Sequence, residues 1–169
     1  LCVLAEEIGR AIAPVPFGSS VYLATEALLA HGSQAQRERW LPAMVKGSQI
    51  GCFALAEGLG NPSARSVNAR FENGKLSGEK WPVSDGDAAD FAIVVAKDSA
   101  GTIGLYLVEL QAAGVSRTTL KSVDPSRNQS RVTFAQAPAQ PLGEGAQGWA
   151  GVERLLDRAA VLVAFEQVG

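Results

Sequence analysis

The apolar periodicity of this chain changes near residue 50 and changes back near residue 149, and that double switch restricts its fold more than any other feature. Before the switch, apolar residues recur at helical spacing. Val3, Leu4, Ile8, Ala11 and Ile12 share one face, and Pro14 and Pro16 should stop that helix. A second helix is expected from about Ser20 to His31, capped by Ser19 or Ser20 and ended by Gly32. A third should start at Ser33, where Ser33-Gln34-Ala35-Gln36 has the form of a capping box. Pro42 should kink or divide it, and Gly47 should close it.

From Ile50 to about Phe134 the segments are short, rich in Val, Ile, Phe and Thr, and separated by turn residues. Gly51–Glu57 reads as the first strand. Asn73-Gly74 lies between SVNARFE and KLSGEKWPV. It predicts a hairpin, because both central positions of a type I′ turn need positive φ. FAIVVAK and TIGLYLVEL flank Asp98-Ser99-Ala100-Gly101 as a second hairpin, and FAIVVAK lacks alternation, as a strand buried on both faces does. Val115–Ser122 and Gln129–Phe134 are further strands. After LGEGAQGW a helix resumes from about Trp149 to Val168. The expected class is α+β, with N-terminal helices, a central antiparallel β barrel and a C-terminal helix. The units fall at 1–47, 48–138 and 139–169. Both ends read as cut, so a piece of a longer chain is expected.

Composition removes several functions. Net charge is −2 and no Lys/Arg-rich run occurs, which argues against nucleic acid or an anionic membrane as partner. No apolar stretch has the length of a membrane span. Two distant cysteines, Cys2 and Cys52, suit reduced thiols in a cytoplasmic protein rather than a disulfide scaffold, and no metal-ligand spacing is present. The single histidine, His31, sits at an expected helix end, where it complements the terminus or meets water. There is no G-x-S-x-G, no phosphate-binding loop and no GxGxxG.

Two segments, CFALAEGLGNPS and SGEKWPVSDGDAAD, each leave a strand and enter a polar turn. Carried on neighbouring strands, they would meet on one rim. A flat redox-active ring needs such a rim, with N–H groups or hydroxyls for its polar atoms and an apolar wall for its face. Trp81, Ser84 and the backbone of Phe53–Ala56 are the candidates. The plainer reading makes Trp81 core and Ser84 a turn residue. Lys80 is expected to point to water.

These segments, with EEIGRAIAPVPFGSS and LLAHGSQAQRERWLPAMVKGSQIGCFALAE before them and LKSVDPSRNQSRVTFAQAPAQPLGEGAQGW after, resemble the acyl-CoA dehydrogenase family over essentially the whole chain. The resemblance implies FAD held between barrel and helices, partly by a neighbouring subunit. It implies α,β-dehydrogenation of an acyl-CoA thioester, with an electron-transfer flavoprotein or other acceptor and a homo- or hetero-oligomer. On the matching positions, Phe53, Leu55, Ala56, Pro82 and Ser84, with Trp81 beside them, are implied to line the flavin. Asn61 and Ser63 in the GLGNPS turn are implied to meet substrate. Asp157 matches an alternative position for the catalytic base, whose usual position lies beyond Gly169. Its plainer reading is an ion pair with Arg154 or Arg158, and Glu153 and Glu166 are expected in solvent. Three departures stand out: Ala56 lacks the family's hydroxyl, Pro62 replaces a turn donor, and Pro82 replaces a ring aromatic. They keep open a second function, a flavin-free or base-less subunit that completes a partner's site. A flavin oxidase or monooxygenase is a further alternative within the enzyme class.

Overall fold

The computed structural model describes residues 1–124 and 126–169. Helix α1 spans Cys2–Arg10. It ends before the two prolines, at a chain reversal where Ile12 takes φ 45°. The second expected helix is a π-helical segment, Gly18–Thr25, that runs straight into α2, Glu26–His31. Neither Ser19 nor Ser20 caps it. Helix α3, Gln34–Val45, begins with the expected capping box: Ser33 Oγ accepts from Gln36 N and Gln36 Oε1 accepts from Ser33 N. Pro42 lies inside α3 without dividing it, and the turn beyond it is still closed by Lys46 N donating to Pro42 O.

Strand β1 is Gly51–Ala54, β2 Arg70–Glu72, β3 Lys75–Ser84, β4 Phe91–Lys97, β5 Ile103–Glu109, β6 Val115–Leu120, β7 Gln129–Pro138 and β8 Gln140–Pro141. They form one curled sheet, a half-barrel, in the order β6-β7-β3-β2-β4-β5-β8. The Asn73-Gly74 turn joins β2 to β3 with φ of 50° and 74°. Asp98 Oδ1 accepts from Ala100 N and Thr102 N and so shapes the β4–β5 turn.

The sheet departs from the expected antiparallel barrel in being mixed: β2 meets β4 in parallel at Arg70 and Lys97, and a longer parallel pairing involves β1. Strand β1 pairs with β4 in parallel, Gly51 opposite Phe91 through Ala54 opposite Val94. Parallel neighbours need a long crossover rather than a hairpin, and here the chain from Leu55 to Asp90 supplies it by forming β2 and β3 on the way.

Strand β4 is buried on both faces, as its unbroken apolar run foretells. Ala92, Val94 and Ala96 face the inside of the curl with Cys52, Leu76, Tyr106, Val132 and Phe134. Phe91, Ile93 and Val95 face the helices and pack with Leu28, Trp40, Val152 and Leu155. The last two belong to α4, Gly148–Val168. Both cysteines are free, and burial pushes the Cys52 thiol up to about 12. No described helix is long and apolar enough to cross a membrane.

Candidate functional site

The two rim segments do meet. Beyond β1 the chain stays extended and joins β3 through a parallel bridge between Glu57 and Trp81. Trp81 N donates to Ala56 O at 2.8 Å, and Gly58 N donates to Trp81 O at 2.9 Å. β3 can turn toward β1 here because its register against β7 slips between Lys80 and Val83. A bulge of this kind bends a strand and re-aims its side chains.

Above this junction lies a cavity of about 620 Å³, floored by the sheet and walled by α1, the π-helical segment and α4. Phe53, Leu55, Ala56, Pro82 and Ser84 all line it. Trp81 does not: its ring lies on the other side of the strand, under the Arg131 guanidinium at 4.6 Å. Asn61 borders a separate small pocket with Ala56, Gly58 and Pro62. Ser63 is exposed and joins a local turn in which Ser66 Oγ accepts from its N–H. Asp157 is exposed on α4 and lines no described cavity. The expected ion pair with Arg158 is replaced by one between Arg158 and Glu26 at 2.8 Å.

Several cavity residues carried no signal in the sequence. Asp85, in left-handed backbone at φ 57°, accepts from Ser19 Oγ at 2.6 Å and ties the end of β3 to the π-helical segment. Glu166, expected in solvent, pairs with Arg127 at the cavity edge. Glu153 accepts from Trp149 Nε1 at 2.7 Å. Tyr22 is buried against the cavity, its hydroxyl has no partner among the described residues, and burial raises its phenol above the ordinary value. The Trp149–Glu153 contact is local to α4 and lies off the cavity, whereas the Asp85 and Glu166 contacts are long-range in sequence, which is why no local pattern announces them.

Lys80 overturns its expectation most clearly. Its side chain is fully buried, and Nζ donates to Glu57 Oε1 at 2.7 Å and to Leu55 O at 3.0 Å. Glu57 in turn accepts from Asn68 N and Ala69 N. Burial pulls the Lys80 ammonium below its usual range, with Glu57 opposing. Burial pushes the Glu57 carboxyl up, but hydrogen bonds from Lys80 and from the Ala69 and Asn68 amides outweigh it and hold the group low.

Residues 1–48 match the family described as acyl-CoA dehydrogenase, N-terminal domain. Isovaleryl-CoA dehydrogenase of Pongo abelii is 30% identical over 131 residues, 70% of this chain and 30% of the relative. Short-chain specific acyl-CoA dehydrogenase of Sus scrofa is 31% identical over 121 residues, 66% of this chain and 29% of the relative. Among solved structures, a variant of the Tcur3481-Tcur3483 steroid ACAD is 32% identical with a TM-score of 0.82, covering 98% of this chain and 44% of that one. A glutaryl-coenzyme A dehydrogenase in complex with glutaryl-CoA shares the fold at a TM-score of 0.88 and 19% identity, covering 98% of this chain and 46% of that one. The chain belongs to the acyl-CoA dehydrogenase family. It spans about a third of the length of the curated relatives it matches.

Proposed function

We propose that this chain supplies one wall of the flavin and thioester site of an FAD-dependent acyl-CoA dehydrogenase-like protein. One observation carries the reading: the Ala56–Trp81–Gly58 hydrogen bonds set Phe53, Leu55, Ala56, Pro82 and Ser84 on a single cavity wall. A cavity of about 620 Å³ lies within the range of small-molecule sites, about 300–1,000 Å³.

The residues present fit a flat ring system. Phe53, Leu55 and Pro82 give apolar contact for one face. Ser84 Oγ accepts from Gln129 Nε2 at 3.0 Å and donates to Gln129 Oε1 at only 3.4 Å, a long contact that its hydroxyl proton can exchange for a ring acceptor. Among the described residues, no group accepts from the Ala56 N–H. Bound FAD would accept the hydride from the thioester's β carbon. The chain's own part is to hold the ring against β1 and β3, offer it donors, and keep water out with α1 and α4. Asp157, the candidate at the alternative base position, does not line this cavity, and among the carboxylates that do, Asp85 is tied to Ser19 and Glu166 is paired to Arg127. The acyl-CoA substrate, an electron-transfer flavoprotein or other acceptor, assembly with further subunits, the domain limits at 47 and 138 and a cytoplasmic location belong to the same proposal.

A second reading, a subunit that completes a partner's site without holding flavin, is favoured by Pro62. It lines the cavity where a backbone donor would help, and proline has no N–H. Titrating the purified chain with FAD and following flavin fluorescence and visible absorption separates the two. Saturable quenching, lost in Ser84→Ala combined with Phe53→Ala, is expected. No uptake would leave the second reading. With an artificial electron acceptor the chain alone should show no acyl-CoA oxidation, because positional and electrostatic catalysis need a closed site. Measurable turnover would place the proton acceptor within these residues.

A further inference from the structure

The wall just described presents one backbone donor whose direction is set from below. The Leu55–Ala56 peptide is trans, so the Leu55 carbonyl and the Ala56 N–H point in opposite directions. The carbonyl is held by Lys80 Nζ at 3.0 Å, inside the fold. The N–H is therefore turned away from the buried ammonium. Ala56 lines the cavity, and its N–H meets no described acceptor.

We propose that Lys80 is a positioning residue of the ring-binding wall, which locks the Leu55–Ala56 peptide and polarises it so that Ala56 N–H becomes the wall's strongest donor. This rests on the reading of the cavity as a flavin site and deepens it. Two effects combine. A cation on the carbonyl draws electron density along the amide and sharpens the N–H at its other end, since hydrogen bonds in a chain polarise one another. The same contact also prevents the peptide from rotating. Glu57 keeps the ammonium in place: its second oxygen is held by Asn68 N at 2.8 Å, and Oε1 is shared between Lys80 and Ala69 N. Ala56 carries no side-chain donor, so the backbone N–H is the donor it can offer there.

A purely structural ion pair makes a different prediction. Replacing it by apolar residues of similar size should restore stability, because a buried pair is roughly isoenergetic with good apolar packing. It should then restore flavin binding too. The experiment compares Lys80→Met, Glu57→Gln and the double variant Lys80→Met/Glu57→Leu with the unaltered chain. Melting temperature, FAD affinity and the absorption maximum of bound flavin are measured, with the Ala56 amide resonance of the flavin-free chain as a separate readout. The double variant should recover part of the melting temperature lost by Lys80→Met, since it removes the unpaired charge but leaves Asn68 N and Ala69 N without their acceptor. It should still bind FAD about tenfold more weakly, the factor expected for one lost donor, with a shifted flavin spectrum and an Ala56 amide proton moved upfield. Glu57→Gln, which takes away the carboxylate that holds the ammonium, should shift the flavin spectrum and the Ala56 amide in the same direction as Lys80→Met. Full recovery of affinity and spectrum in the double variant, or an Ala56 amide unmoved by loss of Lys80, overturns the proposal while the flavin reading stands. Failure of the unaltered chain to take up FAD overturns both.

Discussion

A methyl group at Gly51 would lie 2.6 Å from Phe91 Cζ and 2.8 Å from Ala24 Cβ, where β1 is pressed between the π-helical segment and β4. Both neighbours are buried, so the strand itself would have to move. Gly51→Ala should cost about 1–3 kcal/mol in denaturant unfolding, the usual range for overpacking. Gly74 differs: a Cβ there meets nothing within 4 Å, but φ is +74°. Gly74→Ala should cost about 1–2 kcal/mol from the left-handed backbone alone, and D-Ala at the same position should remove that penalty. His31 is governed by charge. Burial lowers its pKa below the ordinary 6.5, Arg154 on α4 lowers it further and Glu26 on α2 opposes. The fold favours the neutral ring, so this contribution is fully present above pH 6.5 and is lost as pH falls through the lower folded value. The melting temperature should fall below pH 6.5, and His31→Gln should flatten that fall in a pH series read by circular dichroism. The sequence left His31 either complementing the helix end or meeting water, and the fold instead half-buries the ring and disfavours its charge. The information that decides this sits on α4, far along the chain.

At the scale of single elements, legibility followed the range of the deciding contacts. The Ser33 box and the Asn73-Gly74 turn are each settled within four residues, and both were readable. Ser33→Ala should lower stability by about 1 kcal/mol, measured by urea unfolding, because the Gln36 N–H loses its acceptor while the Ser33 N–H keeps Gln36 Oε1. β4 was readable because burial on both faces requires an unbroken apolar run. Lys80 was not. A lysine in a strand interior gives no sign of burial until its partner is known, and Glu57 lies 23 residues upstream on a segment that sequence reading ended as a strand. The parallel register of β1 on β4 was hidden for the same reason, since no turn joins them. Of the cavity wall, the members that point up from two adjacent strand ends were legible, namely Phe53, Leu55, Ala56, Pro82 and Ser84. Trp81 was assigned by position in the strand, and the register slip beside it turned its ring under Arg131 instead.

On the scale of the whole molecule, the cavity exists because α1 and α4 close over the sheet. They approach so closely that a Cβ on Gly9 would collide with the Glu166 carbonyl. Gly9→Val should wedge the two helices apart, open the cavity along Ile8 and Val163, and speed tryptic cleavage after Arg10. The sheet core should stay intact, which unchanged amide-exchange protection in β4 and β5 would confirm. The interleaving of β1 also has a temporal meaning. Its partner in β4 emerges from the ribosome some forty residues after it, so the nascent N-terminal helices must wait beside an apolar strand, GCFA, that has nowhere to pair. Closing such non-local contacts is slow, and an unpaired apolar strand is prone to associate with neighbours. Chaperone demand during synthesis should therefore be concentrated in the interval between translation of Ala54 and of Lys97.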